Sequence, residues 1–237
     1  MTVLVRSDVR RWVLPLLVDV SRGRHPVATR FLAGGRGGSA LYTYAEGEVV
    51  LRTCRRGGLP AYLMHDAYVG CRPRPFRELG VTDILCQRGA PVIEVYGAAV
   101  RWRLPGLYNG WLATRFFPAA RTLWQWASAR PGPAERIAGF RQVGRAVAAL
   151  HCAGGHHPDL NLNNILIGPR SADGVEPKVV LIDFDRARLA QGSPQQAEAD
   201  LQRLTRSARK LDPGGAIISV ADLDAVRAAY REGTTCG

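Results

Sequence analysis

The chain has 237 residues, 46% of them hydrophobic and 22% charged, which excludes a disordered polypeptide and allows one sizeable core or two small ones. Its formal net charge is +12, and all but two of its 32 basic residues are arginine, Lys178 and Lys210 being the exceptions. Guanidinium groups grip phosphate and carboxylate through paired hydrogen bonds, so the excess suits nucleic acid, anionic lipid or a phosphorylated substrate, although a G+C-rich genome produces the same skew.

From the N-terminus, the apolar stretch 12–20 is broken by Pro15 and Asp19. It is too short to span a bilayer and carries no small-residue cleavage site, so no secretion or membrane-spanning segment is expected. Cys54, Cys71, Cys86, Cys152 and Cys236 form no C-x-x-C pair, which argues against disulfides and structural zinc and for a reducing, cytoplasmic setting. Residues 31–55 read as strands around a glycine turn, with Gly34, Gly35, Gly37 and Gly38 at its tip and a second turn at 46–48. Such a tip lets backbone N–H groups approach phosphates, but it lacks the G-K-[ST] ending of a P-loop, and a bare flexible hairpin has the same pattern.

Residues 76–87 read as a helix with Leu79, Ile84 and Leu85 on its apolar face. Its Glu78 is either solvated or able to reach Arg52 at the end of the preceding strand run. Residues 92–102 and 110–117 read as a strand pair across Pro105 and Gly106, and 134–152 as an amphipathic helix with Ile137, Phe140, Val143, Val147 and Leu150 inward. The change of composition near 117–119 divides the chain into a strand-rich N-lobe, 1–117, and a helical C-lobe, 118–237.

His157, Pro158, Asp159, Leu160, Asn161, Leu162, Asn163 and Asn164 follow, then two apolar runs at 165–167 and 179–182 around a turn, then Asp183 and Phe184. Asp159 has the chemistry to orient a hydroxyl and accept its proton. Asn164 and Asp183 offer hard oxygen donors of the kind Mg²⁺ takes, and a hairpin between them brings the two together. The order H-x-D-L-x-x-x-N, strand, D-F is that of the protein-kinase catalytic and metal loops. A rival grouping of His151, His156 and His157 with Cys152 has no standard zinc spacing. His157 is expected instead to pack beneath the loop and hydrogen-bond its backbone. Residues 195–211 form a helix carrying Arg203, Arg206, Arg209 and Lys210, either a lipid-facing or a solvated basic face, and 220–230 a final helix. No aromatic-interleaved basic motif supports a nucleic-acid partner.

The run Val50-Leu51-Arg52-Thr53-Cys54-Arg55-Arg56-Gly57-Gly58 resembles the bacterial 3-deoxy-D-manno-octulosonic acid (Kdo) kinases of the lipopolysaccharide kinase family. So do the start of the 76–87 helix, Gly106-Leu107-Tyr108, the loop from His157 to Ile167, and Asp183-Phe184-Asp185-Arg186-Ala187-Arg188. The resemblance covers about 31–211. It implies an α+β, compact two-lobed protein-kinase-like fold, ATP and Mg²⁺ as cofactors, and phosphorylation of the 4-hydroxyl of Kdo on lipid A. Peripheral attachment at the cytoplasmic face of the inner membrane goes with it. Carried over, Asp159 is the catalytic base and Asn164 and Asp183 the metal ligands. Gly34, Gly35 and Gly37 lie over the phosphates, Glu78 pairs with Arg52, and Thr114 to Phe116 form the hinge beside adenine. Arg55, Arg56 and Arg186 are candidates for the sugar carboxylate or the lipid phosphates. Arg52 stands where protein kinases place lysine, Asp185 replaces the glycine of D-F-G, Pro158 is unusual, and no A-P-E segment follows, so a protein substrate is not expected. Two alternatives share these motifs: a kinase for a heptose or aminoglycoside, and a catalytically silent kinase-like binding protein. Oligomeric state is not legible.

Overall fold

A computed structural model describes residues 1–32, 38–54, 68–69, 72–170, 176–189 and 193–234. Gly34, Gly35, Gly37, Arg55, Arg56, Cys71 and Cys236 lie outside the described residues. The chain divides into two compact units, one of Met1–Asp83 with Glu94–Phe116 and one of Ile84–Ile93 with Phe117–Gly237. Segment 84–93 thus belongs with the C-terminal part, where the sequence division had put it with the N-terminal part. Pro91 O accepts from Leu181 N–H at 2.8 Å and Ile93 N–H donates to Leu181 O at 2.9 Å, so the segment is stitched to a strand of the second unit.

The first unit is built on an antiparallel sheet. Its strands are β1 (Thr2–Val5), β2 (Arg30–Leu32), β3 (Ser39–Tyr44), β4 (Gly47–Cys54), β5 (Tyr68–Val69), β6 (Val95–Leu104) and β7 (Leu107–Arg115). They lie in the order β1-β6-β7-β4-β3-β2, with β5 added to β7. The β6–β7 turn is shorter than the sequence suggested, because Gly106 takes φ 77°, a left-handed conformation that lets the strands close at once. Residues 95–100 are all buried, as a strand covered on both faces requires. Helix α1 (Arg10–Ser21), not anticipated from the sequence, covers one face. Val13, Leu16, Leu17 and Val20 recur at helical spacing and pack in one cluster with Leu51, Tyr96 and Trp111, while Pro15 faces solvent. On helix α2 (Arg74–Gln87), Leu85 is fully buried but Ile84, expected on the apolar face, is exposed; Glu78 takes a buried position instead.

The second unit is mostly helical: α3 (Leu123–Ser128), α4 (Pro133–Cys152), α5 (Pro194–Leu211) and α6 (Val220–Gly233). Phe140, Val143, Val147 and Leu150 of α4 are buried as their spacing predicts, whereas Ile137 is exposed near the helix start. Gly144 lets α4 and α6 approach so closely that a Cβ there would overlap the Val226 carbonyl oxygen. A polar link between the same helices is Arg136, which donates to both Asp222 oxygens at 2.8 and 2.7 Å and to Ile217 O. The strands are short: β8 (Arg121–Thr122), β9 (Gly155–His156), β10 (Ile165–Arg170), β11 (Pro177–Leu181) and β12 (Arg188–Leu189). They pair as β11-β10-β8 and β12-β9.

Candidate active site

The loop 157–164 owes its shape to alternation. Leu160 and Leu162 are fully buried, which turns the intervening polar side chains away from the core. Asn161 closes the turn: its Oδ1 accepts from Asn163 N–H at 2.9 Å and its Nδ2 donates to Asp159 O at 2.8 Å. Asn164 Nδ2 donates to the same carbonyl at 2.9 Å, which leaves its Oδ1 as the oxygen it presents. The Asp159 side chain is 32% exposed.

Strands β10 and β11 pair with Ile165 opposite Leu181, so the residues just beyond, Asn164 and Ile182, meet; Ile182 N–H donates to Asn164 O at 3.0 Å. Asp183 follows directly. It holds φ 68°, a left-handed conformation costing a non-glycine residue roughly 1–2 kcal/mol. Strain of this kind collects at functional sites. Buried Phe184 on one side and the doubly bonded Ile182 peptide on the other hold it there. The second of those bonds comes from His157, whose Nε2 lies 2.9 Å from Ile182 O and whose ring packs 4.8 Å from Phe184. His157 therefore ties the Asp159 loop to the Asp183 strand, instead of bonding its own loop's backbone. An amide oxygen and a carboxylate on one hairpin are hard donors that fit a magnesium ion.

Three residues that the sequence reading left out of the site brace this loop from one face of α5, at spacing i, i+3, i+7. Asp200 Oδ2 accepts from His157 N–H at 2.8 Å, Arg203 donates to Asp159 Oδ1 at 2.6 Å, and Ser207 Oγ accepts from Leu162 N–H at 3.3 Å. The buried Asp200 oxygen also lies 3.1 Å from His151 Nε2, while the Tyr230 hydroxyl meets His151 Nδ1 at 2.9 Å. His151, His156 and Asp200 do cluster, but the Asp200 oxygen is occupied by a backbone N–H and the His151 imidazole, so Asp200 and His151 form a hydrogen-bonded prop against which the His156 ring is buried. Cys152 is exposed and takes no part in it. Burial and then the neighbouring His151 depress the pKa of His156, keeping that ring neutral. Part of this face was readable in advance, because polar residues on an otherwise leucine-lined stripe mark a helix that contacts polar backbone.

In the first unit, Arg52 on β4 donates to both oxygens of Glu78 on α2, at 2.6 and 2.7 Å; the Glu78 side chain is 4% exposed and the Arg52 side chain 30%. The β4–β7 register sets Val50 opposite Thr114, and Phe116 lies just past the end of β7, its N–H 3.4 Å from Glu48 O. Arg186, in the second unit, is exposed beyond Asp183.

An aspartate–asparagine loop joined through one hairpin to a second aspartate in one unit, and an arginine–glutamate pair on sheet and helix in the other, are the arrangement expected of a phosphotransferase of the protein-kinase-like class. The chain belongs to the lipopolysaccharide kinase (Kdo/WaaP) family, whose profile matches residues 32–230. It is similar to the 3-deoxy-D-manno-octulosonic acid kinase of Xylella fastidiosa strain M12, 32% identical over 222 residues, covering 87% of this chain and 78% of that protein. The protein of the same name from Xanthomonas campestris pv. campestris strain B100 is 35% identical over 182 residues, covering 75% and 68%. Among solved structures, WaaP in complex with acyl carrier protein superposes with a TM-score of 0.58 at 17% identity, covering 98% of this chain and 89% of that one. That likeness speaks to the fold, which is the α+β protein-kinase-like one expected from the sequence.

Proposed function

We propose that this chain is an ATP-dependent Kdo kinase that phosphorylates the 4-hydroxyl of Kdo on Kdo-lipid A during lipopolysaccharide core assembly. The observation that carries the reading is the pairing of the Asp159–Asn164 loop with Asp183 across one hairpin, in a chain that resembles Kdo kinases over most of its length. Asp159 orients the acceptor hydroxyl and takes its proton. Asn164 and Asp183 would hold Mg²⁺, which would supply charge neutralisation for the nucleotide phosphates. Arg52, fixed by Glu78, grips nucleotide phosphate, a role shared with Gly34, Gly35 and Gly37, and Thr114 and Phe116 serve the adenine. Arg55, Arg56 and Arg186 meet the sugar carboxylate or the lipid phosphates. The exposed Arg206, Arg209 and Lys210 of α5 supply a peripheral contact with the anionic cytoplasmic face of the inner membrane.

The test is ATP consumption with Kdo-lipid A and with lipid A lacking the sugar, followed by NMR location of the new phosphate. Sugar-dependent turnover with phosphate on O4 is the expected result. Transfer to a heptose or an aminoglycoside instead would make the chain a related small-molecule kinase, and no transfer at all a binding protein.

A further inference from the structure

The catalytic loop supplies a base and a metal ligand but no cation: the residues between Asp159 and Asn164 are Leu160, Asn161, Leu162 and Asn163. The positive charge at the base comes from another element, 44 residues on, where Arg203 reaches Asp159 Oδ1 at 2.6 Å. We propose that Arg203 is a further catalytic residue of phosphoryl transfer, acting first on Asp159 and then on the phosphoryl group. Its guanidinium fixes one oxygen of Asp159 so that the other faces the acceptor hydroxyl, and it then answers the charge of the group in flight. This rests on the assignment of Asp159 as the acceptor-side base.

Three observations support it. Asp200 and Ser207, on the same face of α5, pin the helix to the loop on either side of Arg203, so the guanidinium is delivered by a fixed scaffold. A guanidinium has five N–H donors. One meets Asp159, no other partner of Arg203 is seen among the described residues, and its side chain is 46% exposed, so a ligand can reach the guanidinium. The pair also sits at the surface, where such an ion pair contributes little to stability, so its loss can be read in turnover without unfolding the chain.

The chemistry closes. As the acceptor oxygen attacks the γ-phosphorus, the new O–P bond forms while the bond to the bridging oxygen of ADP breaks, and ADP leaves with that electron pair. The hydroxyl proton passes to Asp159, whose charge is thereby lost. Its hold on Arg203 weakens at that moment, and the guanidinium is free to hydrogen-bond the phosphoryl oxygens. Asp159 then returns the proton to solvent as the phosphate ester departs.

The experiment compares Arg203→Gln and Arg203→Lys with wild type and Asp159→Asn, using the full chain, ATP and Kdo-lipid A in neutral detergent. Arg141→Gln is the control, because Arg141 makes a 2.6 Å surface pair with Glu232 on α4 and α6. Loss of a donor aimed at transition-state charge costs roughly 10²–10³ in kcat. Arg203→Gln is accordingly expected to lose about 100-fold in kcat, with KM for ATP and melting temperature unchanged, Arg203→Lys to recover part of it, and Arg141→Gln to match wild type. If Arg203→Gln turns over within twofold of wild type while Asp159→Asn loses roughly 10²-fold or more, Arg203 is a surface ion pair only and the inference falls while the functional reading stands. An equal loss in Arg141→Gln would overturn it too, by showing a diffuse charge effect. If wild type transfers no phosphate to Kdo, both readings fall together.

Discussion

At the scale of single residues, the site separates charge from shape in a way that substitution can read. Asparagine tolerates the left-handed conformation that Asp183 adopts better than most residues. Asp183→Asn therefore removes the charge and leaves the backbone alone: the melting temperature should stay within a degree or two and kcat should fall sharply. Asp159→Asn keeps the volume of the carboxylate but not its basicity, and proton acceptance by a positioned group contributes typically 10²–10⁴-fold. A loss in that range, with KM for ATP near wild type, is the expected outcome of steady-state kinetics. Asp159, Asn164 and Asp183 could be found from sequence because they sit in one continuous order around one hairpin. Asp200 and Arg203 could not be assigned to the loop, because their partners lie 43 and 44 residues away and only the packing of α5 brings them there.

At the scale of elements, α4 and α6 are joined by a close backbone approach at Gly144 and by the Arg136–Asp222 pair, whose side chains are 22% and 8% exposed. Gly144→Ala forces the helices apart and should cost about 1–3 kcal/mol in chemical denaturation, as overpacking does. Burial alone raises the Asp222 pKa, but the hydrogen bonds from Arg136 and Ser219 outweigh it and the net shift is downward. A depressed carboxylate stabilises the fold above its unfolded pKa near 4, and that contribution drains away as pH falls through the lower folded value. Asp222→Asn should therefore be about 3 kcal/mol less stable than wild type at neutral pH, with the gap narrowing only below pH ~4. Long periodic helices were legible from their spacing, except at Ile84 and Ile137, where apolar residues near helix ends stay exposed. Helix α1 was missed because Pro15 and Asp19 look like breaks. Both lie off its buried stripe, so the apolar face survives them.

At the scale of the whole molecule, the excess of arginine remains to be matched to a partner. Of the four cations singled out on α5, Arg203 is engaged with Asp159, while Arg206, Arg209 and Lys210 are exposed. Attraction of such a face to anionic lipid is screened as salt approaches the molar range. Sedimentation with anionic vesicles should fall as salt rises, and turnover on vesicle-borne substrate should fall with it while turnover on detergent-dispersed substrate changes less. The division of the chain was partly legible, since the composition shifts near Phe117. The transfer of segment 84–93 to the second unit was not, because it depends on a backbone pairing with Leu181 that leaves no mark in composition. The most direct measurement is phosphate transfer from labelled ATP to purified Kdo-lipid A by wild type and Asp183→Asn side by side. Sugar-dependent incorporation by wild type, reduced by orders of magnitude in the variant, is what this account predicts. Equal incorporation by the two proteins, or incorporation that ignores the sugar, would contradict it.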